Sequence, residues 1–422
     1  MITRITPSPL SGKINTIPSK SSAHRAFICA ALSDSPSLII CEHISKDIEA
    51  TINCLNALGA KITDNIGTYN ITPIKKGSIT SQAQLDCGES GSTLRFILPI
   101  ISALDRNAVI QGSGRLPERP LLPLTDQLTL HGAKIGSTFP LECSGKLESG
   151  HFCIAGNISS QFISGLLLAA PILGGDCTIE LTTKTESKPY IDMTVDVMNS
   201  YGVKVETREN GYFVKGGQRY SPPSRFKVEG DWSNSAFWLS CGALKGNGIK
   251  CVNLSTISFQ GDKAITVILA SFGAKVELSN NNVSVAPEPL KGIEINATDI
   301  PDLVPVLAVV ACGAVGTTKI YNAARLRLKE SDRLLAVTNV LTNLGADITQ
   351  TEDGLVINGT GKLNGGRADA MGDHRIAMSL AVAAIICENE VVIDNAEAIN
   401  KSYPAYFADY RKLGGKISIV KN

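Results

Sequence analysis

The sequence predicts an α/β (α+β) repeat fold of two pseudo-threefold domains, with buried helices inside and sheets outside. Three observations predict it: a glycine-ended phrase that recurs six times, a second helix class recurring at the same period, and β-prone segments between them. The phrases are LNALGAKI, LTLHGAKI, MNSYGVKV, LASFGAKV, LTNLGADI and YRKLGGKI, with shared glycines Gly59, Gly132, Gly202, Gly273, Gly345 and Gly414. Neighbouring glycines stand 69 to 73 residues apart, so six units account for all 422 residues. Fixed-period self-similarity of this kind is the signature of a repeat architecture.

Each phrase has the same physical content. Apolar residues at helical spacing run up to a glycine, the glycine takes the left-handed conformation that ends a helix, and a strand follows. The second helix class is expected to begin near Ser19, Ser90, Ser159, Asp231, Asp299 and Gly372. Its continuations, such as TLRFILPIISAL and DHRIAMSLAVAAII, are apolar on nearly every side and should be buried, while the first class is amphipathic and should face solvent. SLIICE, CTIELTT and EVVIDNA are expected strands. One unit is too small to cover its own apolar helix, but three units can cluster theirs. Six units then make two domains, with a hinge near SRFKVEGDW.

Composition narrows the function. Forty basic and 39 acidic residues leave a formal charge of +1, so neither nucleic acid nor a membrane surface is an expected partner. The longest apolar runs are too short to span a bilayer, and the first twenty residues hold no signal-type apolar stretch. Eleven scattered cysteines, with no CxxC and no metal-ligand spacing, read as reduced thiols of a cytoplasmic protein.

The starts of the apolar helices are unusually polar: SKSSAHR, GESGSTLR, SSQF, DIPD and GDHR. Taken singly, Ser19, Ser21, Ser90, Ser92, Ser159 and Ser160 read as N-caps. The cations Lys20, Arg25, Arg95 and Arg375 are different, because a helix N-terminus is partly positive and repels them. They predict a bound anion, with Gly88 and Gly91 letting it approach the backbone. RLRLKESDRLL adds Arg325, Arg327, Lys329 and Arg333, and Lys329 and Arg333 repel each other at i,i+4 if the stretch is helical. Taken alone, Arg119, Asp302 and Glu330 are ordinary: a surface or capping arginine and two acids in helical first turns.

Together these phrases resemble the motif set of the EPSP synthase family of enolpyruvyl transferases. KSSAHRA at 20–26, GESGSTLR at 88–95, ERP at 118–120, SSQF at 159–162, SKPY at 187–190, IPD at 300–302, KESDR at 329–333, DHR at 373–375 and KSYP at 401–404 follow the family order. The resemblance implies two inside-out domains, each of three βαβαββ-like repeats: residues 19–227, and residues 1–18 with 228–422. It places the active site in the interdomain cleft. It also implies transfer of the 1-carboxyvinyl group of phosphoenolpyruvate to the 5-hydroxyl of shikimate 3-phosphate, with no metal or organic cofactor, by a monomer.

By the same match, Lys20, Arg119, Arg333, Arg375 and Lys401 hold phosphoenolpyruvate, with Gly91 and Gln161 beside it. Ser21, Arg25, Ser159, Ser160, Gln161, Ser187 and Lys329 hold shikimate 3-phosphate. Asp302 takes the hydroxyl proton, and Glu330 and Lys20 move protons at C3 and at the leaving phosphate. Arg325 departs from the family pattern, in which asparagine is usual. The UDP-N-acetylglucosamine carboxyvinyltransferases share the fold and chemistry but begin with K-N-A-A and carry a loop cysteine, and none stands between Gly112 and Pro123. A non-catalytic scaffold binding a phosphorylated metabolite is a third reading.

Overall fold

A computed structural model describes residues 1–75 and 82–420. The chain divides into two compact units, Pro18–Val228 and Met1–Ile17 with Glu229–Asn422. Among the described residues there are six four-stranded sheets, three in each unit.

All six sheets are wired alike. Two parallel strands are followed by two antiparallel ones, as in Ala83–Asp86, Ala108–Gln111, Leu141–Ser144 and Lys134–Ile135. The outermost antiparallel strand always starts just after a repeat glycine: Lys61–Asn65, Lys134–Ile135, Glu206–Arg208, Lys275–Ser279, Asp347–Gln350 and Lys416–Val420. Those six glycines all have φ between 78° and 117°, the left-handed region where a side chain is penalised. The sequence period is therefore the sheet period. Each unit closes with a borrowed strand. Phe226–Lys227 completes the sheet of Ser37–Ile40, while the start of the chain supplies Gly12–Asn15 to one sheet and Ile2–Thr6 to another.

In the 18–228 unit the helices are α1 (Lys20–Ala31), α2 (Lys46–Ala57), α3 (Gly91–Ala103), α4 (Leu124–Leu130), α5 (Ser160–Ala169) and α6 (Lys188–Ser200). In the other unit they are α7 (Trp232–Leu244), α8 (Ile265–Phe272), α9 (Val304–Gly313), α10 (Arg333–Asn343), α11 (His374–Ala383) and α12 (Tyr406–Lys412). The odd-numbered helices α1 to α11 are the buried class. In α3 every residue from Thr93 to Ser102 is buried, and in α11 every residue is. Helices α7, α9 and α11 touch one another, and α3 packs on α5. Gly165 makes the last approach possible, since a Cβ there would overlap the Arg95 carbonyl. Each fully buried Leu, Ile or Phe contributes about 1.5–3 kcal/mol. Helices α2, α4, α6, α8, α10 and α12 bury one face only.

Three local expectations are corrected. Helix α9 does not begin at Asp299: a 3₁₀ turn, Pro301–Leu303, intervenes, and the helix starts at Val304. Helix α11 is capped by Asp373 rather than Gly372, because the Asp373 carboxylate accepts the Arg375 N–H. Lys329 and Arg333 do not share a helix. A 3₁₀ turn ends at Leu328, and α10 starts afresh at Arg333 with Asp332 as its cap, so Glu330 lies in the connecting turn and not in a helical first turn. Among the described residues no helix is long and apolar enough to cross a membrane.

Candidate active site

The polar helix starts of the 18–228 unit form one connected cluster. Ser19, Ser90 and Ser159 are N-caps of α1, α3 and α5, as expected, each accepting a backbone N–H of its first turn. At the start of α1, Lys20 pairs with Asp47 at 2.7 Å. One turn on, His24 meets the Thr51 hydroxyl at 2.7 Å, Thr51 meets Thr93 at 2.7 Å, and Thr93 donates to Ser90. This chain of hydroxyls ties α1, α2 and α3 together. Burial, then Lys20 and Arg25, hold the His24 pKa well below its ordinary value, so the ring stays neutral and serves as a strut.

Arg25 donates to the Thr194 hydroxyl and to the carbonyls of Ser21 and Tyr190, with its guanidinium over the Phe96 ring. Burial brings its pKa down to about 10. Arg95 donates to Gln161 Oε1 and the Pro120 carbonyl, and Gln161 Nε2 donates to Ser92. Gly91 lies where Arg95 and Arg119 converge. A Cβ there would sit 2.5 Å from Arg95 Nη1 and 2.6 Å from Arg119 Nη1. Ser187, just before α6, has φ 53° and holds its place with left-handed backbone that glycine would adopt more easily.

The second cluster lies in the other unit, around one carboxylate. Asp302 accepts from Arg333 Nη1 and from Arg375 Nη2, both at 2.8 Å, and Lys329 Nζ is 4.0 Å away. Arg333 is 1% exposed and also binds Glu330 at 2.7 Å and Asp373 at 2.8 Å. The Asp373 carboxylate thus caps α11 and anchors Arg333 at once. Lys401 Nζ donates to the Gly372 carbonyl. Arg325 donates to the Thr298 carbonyl.

Electrostatics follow from this geometry. Burial alone would raise the Asp302 pKa, but Arg375, Lys329 and Arg333 outweigh it and hold the carboxyl well below its usual range. Burial, opposed in part by Asp302, lowers Lys329 to about 8. Asp262, which accepts from the Ser233 hydroxyl, is pushed up to about 7 by burial and by Asp302.

The structure gathers the expected residues into two sets. Lys20, Ser21, Arg25, Gly91, Arg119, Ser159, Ser160, Gln161 and Ser187 belong to the 18–228 unit, and Asp302, Lys329, Glu330, Arg333, Arg375 and Lys401 to the other. The repulsion argument predicts an outside anion for these cations, and each also has partners inside its own unit. Lys20, Arg333 and Arg375 have carboxylate partners and Arg25 and Arg95 have carbonyl, hydroxyl or amide partners. Asp47, His24, Asp373 and Asp262 were missed. Only the HR and DHR phrases hinted at His24 and Asp373.

Comparison with known proteins agrees with this architecture. The sequence profile described as EPSP synthase (3-phosphoshikimate 1-carboxyvinyltransferase) matches residues 5–410. Proteins named 3-phosphoshikimate 1-carboxyvinyltransferase from Clostridium acetobutylicum and Clostridioides difficile are 45% and 41% identical, each over 98% of this chain and 97% and 98% of their own. A solved EPSP synthase from Acinetobacter baumannii superimposes with a TM-score of 0.84 at 25% identity, covering 99% of this chain and all of that one. Fold and relatives together define an α/β transferase enzyme of two three-repeat units. The chain belongs to the EPSP synthase (3-phosphoshikimate 1-carboxyvinyltransferase) family.

Proposed function

We propose that this enzyme transfers the enolpyruvyl group of phosphoenolpyruvate to the 5-hydroxyl of shikimate 3-phosphate, releasing phosphate, in the route to chorismate and the aromatic amino acids. The observation that carries the reading is the closure of two arginines on Asp302, in a chain whose relatives bear that activity's name.

Both substrates are phosphorylated carboxylates, and both clusters serve them. Lys20, Arg119, Arg333, Arg375 and Lys401 hold phosphoenolpyruvate, beside Gly91 and Gln161. Ser21, Arg25, Ser159, Ser160, Gln161, Ser187 and Lys329 hold shikimate 3-phosphate. Arginine suits such groups through paired N–H donors. The 5-hydroxyl oxygen attacks C2 of phosphoenolpyruvate, its proton goes to Asp302, and C3 gains a proton to become a methyl group. Loss of phosphate from C2 and of a proton from C3 restores the double bond. Glu330 and Lys20 handle the protons at C3 and at the leaving phosphate. The steps balance without a metal or organic cofactor.

Asp302 acquires its basicity from binding. Without substrate its charge is neutralised by Arg333 and Arg375, and it is a weak base. When an anionic substrate engages those guanidiniums, its negative charge offsets their lowering influence, burial remains, and the carboxyl becomes better able to accept a proton. We take the protein to be a cytoplasmic monomer. Each hydrophobic cluster closes within one unit, and eleven free cysteines suit a reducing compartment.

Phosphate release from phosphoenolpyruvate tests the function. It is expected with shikimate 3-phosphate and absent with UDP-N-acetylglucosamine. Release with the nucleotide sugar alone would move the chain to the rival activity, and release with neither would favour a binding scaffold.

A further inference from the structure

Ten of the eleven cysteines are buried, and Cys153 is the exposed one. It lies on the edge strand His151–Ile154, which pairs in parallel with Cys177–Leu181, Cys153 standing opposite Glu180. Residues two apart on a strand share a face, so His151 and Cys153 project together, while Phe152, Ile154 and Ile179 turn into the core. His151 Nε2 meets Glu180 Oε2 at 2.7 Å, and Cys153 Sγ is 3.8 Å from the imidazole and 4.0 Å from the carboxylate. Among the described residues this is the one group of three such donors whose ligand atoms all lie within 4.8 Å of one another.

We propose that His151, Cys153 and Glu180 form a surface site for a divalent zinc-class metal ion. The chemistry is that of a three-ligand zinc site: one imidazole, one thiolate, one carboxylate, and a fourth position open to water. The dimensions fit. Bond lengths of about 2.3 Å to sulfur and about 2.0–2.2 Å to nitrogen and oxygen set tetrahedral edges of about 3.4 Å for N–O and about 3.6 Å for S–N and S–O. The ion would push His151 and Glu180 apart by about 0.7 Å and draw Cys153 in by about 0.2–0.4 Å, movements that exposed side chains make without the backbone. The backbone is already fixed: the Cys153 N–H, on the open edge of the sheet, is held by Gln127 Oε1 at 2.8 Å. A mixed sulfur, nitrogen and oxygen set favours zinc over magnesium or calcium, which prefer oxygen alone.

The site also has a structural consequence. Both strands run into loops that end at substrate-site residues, one at Ser159 and the other at Ser187. Thr183 links the loops, its hydroxyl accepting from the backbone N–H groups of Gly156 and Asn157. An ion clamping the strands tightens the frame behind both.

The test uses the full chain, stripped with a chelator and titrated with cobalt(II) chloride. The site predicts one equivalent bound, a near-ultraviolet thiolate-to-cobalt band, and loss of the band when zinc is added. Cys153→Ser abolishes the band, and His151→Ala and Glu180→Gln each weaken cobalt binding at least tenfold. All three variants keep the phosphate-release rate in chelator. No band, a band that survives Cys153→Ser, or full affinity in both His151→Ala and Glu180→Gln would overturn the proposal.

Discussion

Replacing Asp302 with asparagine separates charge from shape at the centre of the site. The amide oxygen can still accept from one arginine, but its NH₂ faces the other. Arg333 keeps Glu330 and Asp373, so it stays paired, whereas Arg375 loses the carboxylate it binds at 2.8 Å and keeps the main-chain carbonyl of residue 302. Leaving one buried donor imperfectly met costs about 1–3 kcal/mol, which lowers the melting midpoint by several degrees and does not unfold the chain. The effect on turnover is larger. Loss of a general base costs about 10²–10⁴-fold, equivalent to about 2.7–5.4 kcal/mol of barrier. Binding moves the other way. With the internal competitor for Arg333 and Arg375 neutral, phosphoenolpyruvate binds as tightly as before or more tightly. Calorimetry on the variant and a stopped phosphate assay measure the two quantities. Turnover within tenfold of the parent, or weaker phosphoenolpyruvate binding in a folded variant, would refute the reasoning.

Three further outcomes follow from the same geometry. Lys329, with a free-enzyme pKa of about 8, loses charge as pH rises, so kcat/KM for shikimate 3-phosphate falls above pH 8; Lys329→Arg flattens that limb, and an unchanged profile would contradict its role. The same lowered pKa means the folded state binds fewer protons than the unfolded chain between pH 8 and the ordinary lysine range. The Lys329 contribution to stability therefore rises with pH through that window, which denaturant titrations of parent and Lys329→Met can compare. Gly91→Ala improves helix propensity at the first residue of α3 by about 1 kcal/mol at most, but its methyl displaces Arg95 and Arg119. The melting midpoint holds while KM for phosphoenolpyruvate rises about tenfold or more, as expected for loss of about 1.4 kcal/mol of binding; an unchanged KM would remove Arg119 from the site.

The repeat architecture was legible because it rests on local chemistry. A left-handed glycine must end each outer helix, and the edge strand that follows needs no distant information. The buried helices were legible from their apolar content, yet two of their starts were misplaced. Pro301 and Pro305 favour a 3₁₀ entry to α9 over a helix from Asp299, and Asp373 out-competes Gly372 because its carboxylate can cap. The motif residues were found as a set, but their partners were not. Asp47 reaches Lys20 from α2, and Asp373 reaches Arg333 from 40 residues further along the chain. No short window carries such pairings, since they arise only when repeats pack. That is also why the cations looked unpartnered in the sequence. Asp262 gave no signal, because its raised pKa comes from burial beside Asp302, a tertiary effect.

The most direct measurement is the reaction run in heavy water with phosphoenolpyruvate and shikimate 3-phosphate, the product being read by mass and by proton resonance. If addition and elimination pass through a methyl group at C3, deuterium enters the vinyl carbon of the product. A phosphate-releasing reaction that leaves both vinyl positions free of deuterium would contradict the account.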